Sequence, residues 1–197
     1  VNREGVNTTA AFGVMNQLGS YVQMPAVAVG SAVSAMVAQN IGGNKWDRVG
    51  RIVWSGIGIN LLMSGALIVL MTLFAQPLLS LFLPSGSPAI DIAIHINHII
   101  GWTFVLMGVS VVVTFAVRAN GAVLAPLLIR IFSAVLVRFS IGFGLHDRFG
   151  ADAIWGSFVA TAMTSCVLSI GYYVHGGWKK TKAMPNMGGP LIQAAPE

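Results

Sequence analysis

The sequence predicts an all-α polytopic membrane protein, a bundle of five transmembrane helices, and three observations carry that prediction. Five mostly apolar stretches follow one another, at residues 10–38, 52–83, 90–117, 122–145 and 153–174. A run of about 18 or more apolar residues with few charges is long enough to cross the hydrocarbon of a bilayer as a helix. Only 9% of the residues are charged and 55% are hydrophobic, with a mean hydropathy of +0.78; soluble domains carry roughly 25% charged residues. The basic residues are also unevenly placed. Lys45, Arg48, Arg51, Arg118, Lys179, Lys180 and Lys182 fall on one side of an alternating helix path, and only Arg3 and Arg148 on the other. Seven against two orients the basic connectors toward the cytoplasm, with a cytoplasmic C-terminus. The net charge of +5 is therefore read as topology, not as a nucleic-acid surface.

Each element has its own local reasons. Residues 1–9 are a polar outer segment whose Asn7, Thr8 and Thr9 are candidate helix caps. The first span places Ala26, Gly30, Ser34 and Ala38 four apart, a small-residue face for close helix contact. Pro25 removes a backbone donor within it, so a kink or local opening is expected. The second span repeats the spacing with Gly56, Asn60 and Ser64, and its apolar run continues through Pro77 to Leu83. The part after Pro77 is expected at the outer interface, because the run exceeds what a bilayer needs.

The third span starts after the Pro84–Pro88 break and carries Asp91, His95 and His98 in its outer turns. The fourth contains Arg130 and Arg138. The fifth has Gly156, Ala160 and Thr164 at close-packing spacing, and Trp178 beside lysines suits an interfacial anchor. Residues 1–180 thus read as one bundle, and residues 181–197, rich in Pro, Gly and Ala, as a disordered cytoplasmic tail. The lone Cys166 excludes an internal disulfide and fits a small apolar filler. A five-span chain with its C-terminus inside starts outside, without a signal peptide and on Val1. The expectation is a C-terminal portion of a longer protein.

Three groups of residues are candidates for chemistry. Asn16, Gln17, Tyr21, Gln23 and Asn60 are polar groups within spans and are read as lining a substrate cavity, with Arg130 as a charged contact. The competing reading is hydrogen bonding between helices. Asp91, His95 and His98, at i, i+4 and i+7, share a helix face able to hold an ion or relay protons. The competing reading there is a capping Asp91 and histidines in interfacial water. Arg130, near mid-bilayer, needs a protein interior or aqueous cavity, or must snorkel. No metal site is expected. The sequence has no Gly-x-Ser-x-Gly, His-Glu-x-x-His or phosphate loop, which points to transport, not catalysis.

Asn7-Thr-Thr-Ala-Ala-Phe-Gly, the run from Met24-Pro25 to Gln39-Asn40-Ile41-Gly42 with Arg48 following, and the turn Arg118-Ala119-Asn120-Gly121 with Pro126 beyond it resemble the multidrug and toxic compound extrusion (MATE) transporter family. Gly43-Asn44 departs from that family's Ala-Gly. The resemblance covers the chain to about Lys180 and implies the second half of a twelve-helix transporter, lacking its first helix. It implies export of small-molecule drugs or toxins by antiport with H⁺ or Na⁺, no cofactor, and a missing N-terminal half as partner within the lipid bilayer. The coupling acid is expected outside this chain, with H⁺ preferred. Two alternatives stay open: a flippase for lipid-linked oligosaccharides, which needs the cationic cavity that only Arg130 and Arg138 supply, and a non-transporting membrane scaffold.

Overall fold

A computed structural model describes residues 5–84, 86–144 and 151–180. The proposed tail, Arg3, Lys182 and the loop containing Arg148 lie outside the described residues. The chain is helical, with no strand among the described residues: α1 (Val6–Gly42), α2 (Trp46–Leu73), α3 (Ala75–Leu79), α4 (Pro88–Arg118), α5 (Leu124–Ile131), a π-helical segment (Phe132–Val137), α6 (Arg138–Gly144), α7 (Ala151–His175) and a 3₁₀ turn (Gly177–Lys180). Four helices are long and apolar enough to cross a membrane by themselves: α1, α2, α4 and α7. The fourth predicted span is the composite of α5, the π segment and α6. Its junction residues Ile131, Phe132 and Arg138 all keep right-handed helical backbone, so the helix axis runs on through it.

α4 is the central helix and packs against α1, α2 and α7, while the composite helix packs mainly on α7. The buried side chains form two layers along the bundle. One joins Met15, Leu18 and Val22 of α1 to Ile68, Ile96 and Trp155. The other joins Val33 and Val37 to Val53, Val112, Val113 and Trp178 near the basic end.

Glycine seams let the helices approach this closely. Any Cβ at Gly56 would run into Val33, and any at Gly19 into the Phe104 ring. At Gly108 a Cβ would lie 2.8 Å from the Asn60 amide and 3.2 Å from Ala26. Two of the predicted small-residue faces are therefore real contacts, although Ala38 of the first is exposed. The third is not of this kind, because nothing lies within 4 Å of a Cβ at Gly156.

Several expectations are corrected. α1 runs unbroken through Pro25, which membrane helices tolerate because neighbours and local adjustments take up the freed carbonyl. The α1 N-cap is Gly5, with no side-chain cap; Thr9 instead returns its hydroxyl to the Gly5 carbonyl at 3.0 Å. α2 ends at Leu73, before Pro77, and the following residues turn back: Ala75, Leu79 and Leu83 are buried in the core layer around α4. Leu81 and Phe82 of the same segment stay exposed, so it has one face packed on the bundle and one turned outward. Trp178 is not an exposed anchor but is 0% accessible. The 3₁₀ turn folds it inward, where it stacks on Tyr173 at 5.4 Å, donates its indole N–H to the Tyr173 carbonyl at 2.9 Å, and lies 6.1 Å from Trp46. Buried Asn120 donates to the Trp178 carbonyl at 2.9 Å, tying the turn after α4 to the end of α7.

Gly56→Ala is predicted to lower the thermal unfolding midpoint of the detergent-solubilised protein, at about 1–3 kcal/mol of overpacking. Gly58→Ala, two residues on, where a Cβ meets nothing within 4 Å, should not lower it.

Candidate functional site

α1 is two-sided. Met15, Leu18, Val22 and Ala26 are buried against the bundle, while Asn16, Gln17, Ser20, Tyr21 and Met24 form an exposed strip. The periodicity of 3.6 residues per turn puts Asn16 over Ser20 and Gln17 over Tyr21. Their hydrogen bonds stay within the helix: the Gln17 amide donates to the Tyr21 hydroxyl at 3.0 Å, and Ser20 to the Asn16 carbonyl at 2.9 Å. An amide and phenol strip facing hydrocarbon would be costly, so this face belongs against further protein or a water-filled cavity.

Tyr21 also borders an apolar groove of about 410 Å³ between α1 and α2, walled by Leu18, Val22, Leu67, Leu70, Met71 and Phe74. Toward the basic end the same two helices enclose a second cleft of about 570 Å³, reached by Met36, Asn40, Arg48 and Arg51. Asn40 there donates its side-chain amide to the Met36 carbonyl of its own helix at 2.8 Å. Arg51 and Asp47 form an exposed pair at 3.9 Å.

The structure does not bring all five polar candidates together. Asn16, Gln17 and Tyr21 share the exposed strip. Gln23 points the other way and donates to the Phe104 carbonyl at 2.9 Å, bridging α1 to α4. Asn60 is 0% accessible, accepts from Ser64 at 3.1 Å and sits over Gly108. Its depth at the α1–α2–α4 junction makes it a packing group in this conformation. Asn97, which sequence reasoning passed over, plays a similar part, donating to Thr72 of α2 at 3.2 Å.

The acid–imidazole group is rearranged. Asp91, His95 and His98 all lie on exposed positions of α4, and the helix cap is Ser87, whose hydroxyl accepts from the Ala89 N–H at 3.3 Å. His95 meets Asp152 at the start of α7, with Nε2 to Oδ1 3.1 Å. Asp152 was legible in principle, since alternating spans put the start of the fifth beside the start of the third. Among the described residues no three His, Cys, Asp or Glu side chains are grouped to hold a metal ion. Arg130 does not join the α1 strip. It borders a separate cavity with Arg138, between α4, the composite helix and α7.

The comparisons with known proteins follow from this geometry. A sequence model of the MatE family matches residues 1–143. The chain is 39% identical over 182 residues to the probable multidrug resistance protein YoeA of Bacillus subtilis, covering 91% of this chain and 39% of that protein. It is 30% identical to the probable multidrug resistance protein YpnP of the same organism, covering 92% of the chain and 41% of the relative. A more distant similarity, 24% over 80% of the chain and 34% of the relative, is to the probable multidrug resistance protein NorM of Thermotoga maritima. The chain thus spans about two fifths of the length of the first two relatives. No solved structure gives a significant match.

The His95–Asp152 pair is more than half exposed on both sides, at 58% and 59%, so it is predicted to contribute little. Asp152→Asn should change stability by about 1 kcal/mol or less, read as a small shift in the unfolding midpoint.

Proposed function

The chain belongs to the MatE family of membrane transporters, not to an enzyme family, and from that premise we propose that it forms part of an efflux transporter for amphipathic organic compounds. The observation that carries this reading is the exposed α1 strip of Asn16, Gln17 and Tyr21 lying beside the apolar groove that Tyr21 also borders. The groove accepts the hydrophobic body of a substrate. The strip supplies neutral acceptors and one aromatic face, with no basic residue among its groups, which favours cationic or neutral compounds over anions. Its opposite wall comes from further helices of the kind that the longer relatives carry.

Transport is driven by antiport with H⁺ or Na⁺, and the basic end faces the cytoplasm of a bacterial plasma membrane. Asp91, His95 and His98, on exposed positions in the outer turns of α4, are candidates for proton or ion traffic. Arg130 is set aside as a substrate contact in this reading, because it borders a different cavity.

Ethidium accumulation in cells expressing the intact protein tests the proposal. Gln17→Ala and Tyr21→Ala should each weaken efflux roughly fivefold at unchanged expression, the worth of one contact at ~1 kcal/mol. Abolition of efflux by a protonophore assigns H⁺, and abolition by a sodium ionophore alone assigns Na⁺. Efflux unchanged in both variants, or insensitive to every ionophore, would overturn the reading.

A further inference from the structure

The cavity between α4, the composite helix and α7 stands apart from the α1 strip, encloses about 230 Å³, and is bordered by both arginines of the fourth span. Their convergence depends on the π segment. In a regular α-helix residues eight apart are offset by roughly 80° around the axis, at about 100° per residue. A π turn takes up about one additional residue, so Arg138 behaves as i+7 to Arg130 and returns to within roughly 20° of it. Phe132–Val137 is that turn, placed between the two.

Arg138 is then held in place, its guanidinium carbon 3.6 Å from the centre of the Phe158 ring. Ser133 projects from the same segment at 1% accessibility, and its hydroxyl has no hydrogen-bond partner. Ser110 of α4 and Thr161 of α7 also border the cavity but donate their hydroxyls to the Leu106 and Ser157 carbonyls, at 3.3 and 2.7 Å, and Ser165 of α7 lies beside them. No carboxylate lies within ion-pair distance of either arginine among the described residues.

We propose that this cavity is a binding site for a phosphate-type oxyanion. Guanidinium groups donate paired N–H bonds in a geometry matched to phosphate oxygens, and the unpartnered Ser133 hydroxyl is a donor for an oxygen that remains. The volume exceeds what a single halide fills. The cavity lies in the half of the bundle nearer the basic end, where α4 finishes at Arg118 and α7 at His175. Basic pockets between membrane helices on that side also take lipid headgroups. The phosphate is therefore either a free ion or the headgroup of an anionic lipid. The inference does not rest on the efflux reading.

Thermal unfolding of the intact protein in nanodiscs tests it. In phosphatidylcholine discs, inorganic phosphate should raise the midpoint by roughly 2–4 °C over sodium chloride at equal ionic strength. Alternatively, discs containing phosphatidylglycerol should do so without added phosphate. The first result assigns a free oxyanion and the second a lipid headgroup. In either case Arg130→Gln should abolish the shift; Arg130 is the deciding position because Arg138 also packs on Phe158. Should Arg130→Gln fail to fold, Ser133→Ala reads the same site and should reduce the shift. No shift in either disc, protection equal in chloride, or protection undiminished in the variants would overturn the proposal.

Discussion

Helices in lipid are not driven together by water, because the acyl chains they would leave are as apolar as their own side chains. The bundle depends instead on backbone approaching close enough for dispersion to accumulate. That condition is met where α1, α2 and α4 meet, at Gly56 against Val33, Gly108 under Asn60 and Gly19 under Phe104. The contrast with the other side of α4 is instructive. Neither Gly156 nor Gly171 of α7 meets a neighbour within 4 Å of a Cβ. There the helices are joined by larger groups: Phe12, Trp155 and Phe158 in a cluster with centroids 5.4–6.4 Å apart, and Arg138 on Phe158. Bulky spacers on that side leave room for the cavity between α4, the composite helix and α7.

Polar side chains then sort by what surrounds them. Gln23 and Asn97 spend their donors on another helix and hold register between segments. Gln17 donates to Tyr21 along α1, Ser20 donates to the Asn16 backbone carbonyl, and the strip stays exposed. Arg130, Arg138 and Ser133 border a partly open cavity, with Arg130 exposed and Ser133 buried. In this solvent an amide or hydroxyl therefore reports its environment more sharply than it would in a soluble domain, where water satisfies most surface groups. The apolar groove beside Tyr21 gains its meaning from that sorting, since greasy exposure alone is ordinary for a lipid-facing helix.

Much of the architecture was legible in the sequence. Run length and the placement of Lys and Arg are the bilayer's own selection rules, so the helical spans follow from them directly. The short motifs around Gln39-Asn40 and Arg118-Ala119-Asn120-Gly121 pointed to the same family that the MatE match covers. The misses share a cause. Trp178, Asn60 and the residues after Leu73 were placed by their neighbours in sequence, and each is positioned by a neighbour in space. Trp178 has lysines beside it but Tyr173, Trp46 and Asn120 around it. Asn60 was grouped by residue type with the α1 amides, although its helix phase turns it inward. Residue identity also gave no sign of the π segment, whose Phe-Ser-Ala-Val-Leu-Val suits an α-helix equally well.

That segment has an unusual bearing on how the helix tolerates changes in length. Deleting one residue from a transmembrane helix normally misdirects every side chain beyond the lesion. Between Phe132 and Val137 the surplus backbone is already present, so loss of one residue there restores an ordinary α-helix. Leu124–Ile131 would keep its seat, and Arg138, now seven residues beyond Arg130 in a regular helix, would keep its phase toward Phe158. Shortened variants of this helix should thus insert and assemble with both arginines still on the cavity wall.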